Sequence, residues 1–214
     1  MVHLLEVIFV LVMLNNQMLL SSSRLVYCIK LVAFQGVILS LIPIILAHQG
    51  ITLHVLCFAT IVFVLKGIIF PKLLLRALRV ADVKREVEPI IGFTSSALLG
   101  ILILGLSFWI SSKYTNIETA INFLTLPTAL YTILVGLFLI ICRKKALMQV
   151  VGYLVLENGI YIFGVALLKE IPLLIEIGVL LDIFVAIFVM GIATYHISQE
   201  FETTDVDQLN TLRG

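Results

Sequence analysis

Charge is what this sequence has least of. Only 13% of its 214 residues are charged, about half of the roughly 25% usual in soluble domains. The net charge of +1 leaves no basic footprint for a nucleic acid. The three cysteines, Cys28, Cys57 and Cys142, are isolated, with no CxxC and no histidine at ligand spacing, which argues against an iron–sulfur or structural zinc site within the chain. No polar stretch is long enough to form a soluble catalytic domain, and no nucleotide or redox motif supplies energy. Catalytic, cofactor-binding and metal-ligating residues are therefore expected to be none.

What fills the chain instead is apolar. The hydrophobic set makes up 61% of the sequence and the mean hydropathy is +1.18. Several runs exceed 18 residues, which favours helices over the short alternating segments of a barrel. The expectation is an all-α polytopic membrane protein with seven transmembrane helices at about 2–20, 25–47, 51–75, 89–110, 120–141, 146–168 and 174–196. The first run lacks the basic n-region and small-residue cleavage site of a signal peptide. These spans divide into an N-terminal three-helix unit (1–75), a charged loop (76–88), a linking helix (89–110), a second three-helix unit (120–197) and a polar tail (198–214). Pro43 predicts a kink near the end of the second span, and Pro89 fits a first helical turn. Gly92, Ser96 and Gly100 make a narrow small-residue strip suited to close packing, and Trp109 fits an interfacial belt.

Loop charges give an orientation. With the N-terminus outside, the cytoplasmic connections hold Arg24, Lys72, Arg76, Arg79, Lys84, Arg85, Arg143, Lys144, Lys145 and Arg213, against Lys113 and Lys169 opposite. Ten against two satisfies the positive-inside rule and places the C-terminus in the cytoplasm. The expected location is the cytoplasmic (inner) membrane of a prokaryote.

Three ionisable residues lie deep within spans: Lys66, Glu157 and Asp182. An acid or base at that depth costs a few kcal/mol on insertion scales, so it faces protein or water rather than lipid. Removal from water favours the neutral form of each, and an opposite charge restores the ionised one. Groups held between these influences suit proton translocation. A static lysine–carboxylate pair that fixes helix packing and a lipid or solute site are the alternatives. Lys66 precedes Gly67 and lies five residues before Pro71, which predicts an irregular backbone there; snorkelling toward Lys72 is its competing reading. Secondary candidates are Lys30, which can snorkel toward Arg24, Gln35, which needs a hydrogen-bonding neighbour, His54, near an interface, and Glu176. Glu176 and Asp182 are about 240° apart around a helix and do not share a face. Asn15 and Asn16 read as local hydrogen bonding near a helix end.

These motifs resemble a known family. Arg143-Lys144-Lys145, Gly152-Tyr153-Leu154-Val155-Leu156-Glu157-Asn158-Gly159 and Glu176-Ile177-Gly178-Val179-Leu180-Leu181-Asp182 are similar to the K-type membrane subunit of respiratory complex I. Together with the lysine-to-proline stretch 66–71 and the terminal segment 207–214, they make the whole chain resemble component E of hydrogenase-4, from group 4 nickel–iron hydrogenase and formate hydrogenlyase complexes. The resemblance implies a non-redox membrane-arm subunit contributing buried charges to ion movement coupled to electron transfer. Implied partners are antiporter-like membrane subunits, a quinone-site-type membrane subunit and the hydrogenase large and small subunits, which would carry the nickel–iron centre and iron–sulfur clusters. An accessory subunit of a complex I-like or cation/proton antiporter assembly is the runner-up, and a static membrane scaffold the third reading. The K-type subunit's first buried glutamate matches Leu154, with Glu157 three residues further along roughly the same face; its second matches Asp182. The first three helices echo the last three, with Gln35 roughly at the place of Glu157.

Overall fold

The computed structural model describes residues 2–47, 53–80, 89–113 and 123–167. Among them are α1 (Val2–Ser21), α2 (Leu25–Leu39), α3 (Ile42–Leu46), α4 (Leu53–Val64), a π-helical turn (Leu65–Ile69), α5 (Phe70–Val80), α6 (Phe93–Lys113), α7 (Thr125–Cys142) and α8 (Ala146–Leu167). Joined end to end where they are continuous, these make six helices long and apolar enough to cross a membrane. The seven-helix expectation is thus corrected to six among the described residues. The seventh expected span, 174–196, with Glu176 and Asp182, lies outside the described residues, and so does most of the loop at 76–88. Of the second three-helix unit, α7 and α8 are described.

Local chemistry explains the interruptions. α2 and α3 form one span, Leu25–Leu46, broken at residues 40–41. There Ser40 Oγ donates to the carbonyl of Val37 at 2.7 Å, and Pro43 in the first turn of α3 brings no N–H. A hydroxyl bonded back to a carbonyl and a missing donor both bend a helix. In the third span, Val55–Arg79, the N–H of Phe70 reaches the carbonyl of Leu65. That i to i+5 bond sits one residue before Pro71, so the widened turn carries the chain into a residue with no N–H to give. α5 then continues to Val80 with Leu74, Ala77 and Leu78 buried and Lys72, Arg76 and Arg79 exposed. Arg76 and Arg79, expected in a connection, lie on its last turns.

α7 and α8 form the tightest hairpin. A Cβ on Gly136 would lie 2.5 Å from the backbone nitrogen of Leu156, so only glycine lets the two backbones approach this closely. α1 and α2 pack against this hairpin, and one apolar core runs through Leu19, Leu25, Tyr131, Leu139, Met148 and Val151. α6 is the least enclosed span. It turns Ser96, Gly100 and Ser107 inward and leaves Leu98, Leu102 and Trp109 exposed. The small-residue strip is thereby used inside the chain: a Cβ on Gly100 would lie 2.5 Å from Leu20 of α1.

Candidate functional site: a buried ion pair between two helices

The π-helical turn and α8 meet through charge. Lys66, near the middle of its span, places Nζ 2.7 Å from Glu157 Oε1, with side chains 7% and 1% exposed. Nζ also donates to Asn158 Oδ1 at 3.0 Å and lies 5.8 Å from the ring centre of Tyr161. Neither carboxylate oxygen receives an aligned hydrogen bond from the described residues. The contact is therefore held by distance and charge. That is an unusual condition for a buried carboxylate, which ordinarily gathers donors.

Two glycines and one irregular turn make this geometry possible. A Cβ on Gly36 of α2 would lie 2.6 Å from Lys66 Cβ, so the absence of a side chain there lets the lysine stem lie against α2. The stem then crosses the bundle interior toward α8 instead of snorkelling along its own helix toward Lys72. Gly136 brings α7 against α8 on the far side of Glu157's turn.

A second polar layer lies beside it on α1, α2 and α7. Gln35, fully buried, donates through Nε2 to Asn16 Oδ1 at 3.2 Å. Asn16 in turn donates to Thr132 Oγ1 at 2.9 Å, and Thr132 to the carbonyl of Thr128. Asn15 donates to the carbonyl of Leu31. The two asparagines thus bond between helices, which corrects the expectation of local bonding near a helix end. α1 is long enough to put both inside the bundle. Gln35 Oε1 meets no donor among the described residues.

From the sequence, Arg143 stands out only as a loop charge and as part of the Arg143-Lys144-Lys145 motif. It is 1% exposed, donates through Nη2 to the carbonyl of Leu20 at 2.9 Å and stands 5.1 Å from the Phe93 ring. It caps the C-terminal end of α1, where open carbonyls attract a cation. Burial draws its guanidinium below the ordinary value, yet a guanidinium stays charged through such shifts. Of the other sequence candidates, Lys30 is exposed, and the side chain of His54, with Glu176 and Asp182, is outside what is described. Asn158 stands beside Glu157 in the sequence motif, but an asparagine next to an acid carries no pattern that assigns it to the lysine.

Six apolar helices among the described residues, enclosing an acid–base pair, define a polytopic membrane protein. Comparison with known proteins narrows the class. The family described as NADH-ubiquinone/plastoquinone oxidoreductase chain 4L matches residues 124–214. An uncharacterized protein of Mycobacterium tuberculosis is 30% identical over 186 residues, covering 86% of this chain and 84% of the relative. Hydrogenase-4 component E of Escherichia coli is 29% identical over 153 residues, covering 71% and 70%, and that of Shigella flexneri is equally similar. No solved structure matches. The chain is a polytopic membrane protein related to hydrogenase-4 component E and, over residues 124–214, to the chain 4L family of complex I.

Proposed function

We propose that this chain is a non-redox membrane-arm subunit of a group 4 nickel–iron hydrogenase complex, formate hydrogenlyase-like in plan. In this reading its Lys66–Glu157 pair takes part in proton movement coupled to electron transfer. The observation that carries the reading is the 2.7 Å contact between two oppositely charged side chains deep in separate spans. Within a membrane such groups mark ion pathways, since their burial is costly wherever packing alone is needed. A proton arriving at the carboxylate neutralises it and releases the ammonium from its partner; deprotonation restores the attraction. The pair can therefore exist in two charge states with different contacts, which is what a relay coupled to conformational change requires. Asp182 is proposed as a further acid of the same path. The electron-carrying groups would belong to hydrogenase large and small subunits. Antiporter-like and quinone-site-type membrane subunits would flank this chain in the inner membrane.

The match to chain 4L favours one second reading, an accessory subunit of a complex I-like or antiporter assembly without a hydrogenase. Purification in mild detergent separates the two by whether a nickel–iron large subunit accompanies the chain. The role of the pair is tested by Glu157→Gln in the intact complex reconstituted in liposomes. Normal assembly and hydrogenase turnover with a lowered proton-to-electron ratio is the expected result. An unchanged ratio would remove Glu157 from the pathway.

A further inference from the structure

A cavity of about 10 Å³ lies against the ion pair, walled by Lys66 and Asn158 together with Val32, Pro71, Leu74 and Leu154. Such a volume is the least that holds one water molecule, which also needs polar partners. The chemistry of Asn158 supplies one. An ammonium only donates, so the amide turns its oxygen to Lys66 and its NH₂ group away. Asn158 lines the cavity, so a water there is within reach of that amide. The six apolar wall residues, which also include Ile29 and Phe70, all lie on one side of the pair. Leu74 and Pro71 stand between Lys66 and Arg76, Val32 between Arg24 and Gln35, and Leu154 between Arg143 and Asn158. The cavity thus extends toward the end of the bundle that carries the exposed arginines, and it touches the lysine rather than the carboxylate.

We propose that this cavity is a binding site for a single water molecule, and that protons reach the pair through it by way of Lys66, from the basic end of the bundle. This rests on the proton-transfer reading of the pair and adds to it a side, a first acceptor and a gate. In the transfer, Lys66 gives one N–H proton to Glu157 Oε1 while the cavity water, protonated from the basic end, replaces it. The lysine is unchanged, the carboxylate becomes a carboxylic acid, and charge moves one step inward. Asn158 is a positioning residue, holding the water through its amide N–H, and the apolar walls control wetting, as hydrophobic constrictions do in channels.

Radiolytic hydroxyl labelling of the intact complex tests for the water. Leu74 and Leu154, 1% and 3% exposed, should be oxidised several-fold faster than Val155 and Ile162, which are buried to nearly the same degree (0% exposed) and do not line the cavity. Val32→Ile adds one methylene, about the size of one water, and should suppress that labelling and lower redox-linked proton uptake about tenfold at unchanged hydrogenase turnover. Asn158→Leu, which keeps the volume and removes the amide, should do the same and serves where the first variant assembles poorly. Labelling of the wall residues no faster than that of Val155 and Ile162 would overturn the proposal. So would normal proton uptake in both variants while Glu157→Gln abolishes it. Normal uptake in Glu157→Gln itself would instead overturn the reading of the pair.

Discussion

Asn158 and Glu157, neighbours in sequence, both hold the one ammonium of Lys66, at 3.0 Å and 2.7 Å. Consecutive residues of a helix point about 100° apart, so the lysine tip must lie in the angle between them. Its position is set by two bearings on α8, and the charge cannot slide along the helix without losing one.

The pair predicts a reversal between single and double variants. Lys66→Met leaves a buried carboxylate without its counter-charge, and Glu157→Gln does the converse; breaking a buried pair from one side costs about 3–5 kcal/mol. Each single variant should lower the stability of the chain, by less than that figure where the remaining group neutralises itself. The double variant Lys66→Met/Glu157→Gln should recover most of the loss and still move no protons through this path. Thermal stability and proton-to-electron ratio, measured on the same preparation, check both halves. A double variant less stable than either single one would count against the pair as an energetic unit.

Glycine positions should respond to alanine in opposite directions. A Cβ on Gly105 meets nothing within 4 Å, so Gly105→Ala should gain up to about 1 kcal/mol from helix propensity. Gly136→Ala would press on the backbone of Leu156 and should cost about 1–3 kcal/mol. Gly36→Ala meets the stem of Lys66 and should both destabilise and disturb proton movement. Detergent unfolding titrations rank the three.

The Asn16–Thr132 bond gives a smaller, purely structural effect. Thr132→Val removes the hydroxyl that accepts from Asn16 and should cost about 0.5–2 kcal/mol, the range for interhelical hydrogen bonds in membranes. Hydrogenase turnover and proton ratio in assembled complex should stay normal. A lost proton ratio at normal abundance would instead make this layer part of the path.

Orientation is checked with single cysteines in a Cys57→Ser background, where the remaining Cys28 and Cys142 are buried. Exposed Ser23 lies at the arginine-bearing end and exposed Ser112 at the other. Ser112→Cys should react with an impermeant maleimide on intact cells, and Ser23→Cys only after permeabilisation. The reverse pattern would invert the orientation given by the loop charges.

Depth along a hydrophobic run was enough to pick out Lys66 and Glu157 from the sequence, because a charge in mid-span is conspicuous against apolar neighbours. Their contact was not legible. It depends on Gly36 giving way to the lysine stem and on a turn of unusual pitch, and neither a lone glycine nor a proline five residues on specifies such a turn. The proline did mark where the backbone departs from regularity. Asn16 misled for a related reason: a short amide near a helix end has the same sequence appearance whether it bonds locally or across to Thr132. Arg143 read as one more loop charge, since nothing local distinguishes a cation that folds back onto Leu20 from one left in water.

The two halves of the ion pair are mounted on elements of unequal stiffness. Glu157 is carried by α8, whose backbone rests directly on that of α7 at Gly136 and has no slack there. Lys66 is carried by the π-helical turn, where hydrogen bonds are of poorer pitch and the next residue after the turn's cap has no N–H. When the charges are neutralised and the contact relaxes, displacement falls on the cation's side. The acid behaves as a fixed post and the lysine as the arm that swings, so mechanical communication with neighbouring subunits would travel along the third span rather than through the α7–α8 hairpin.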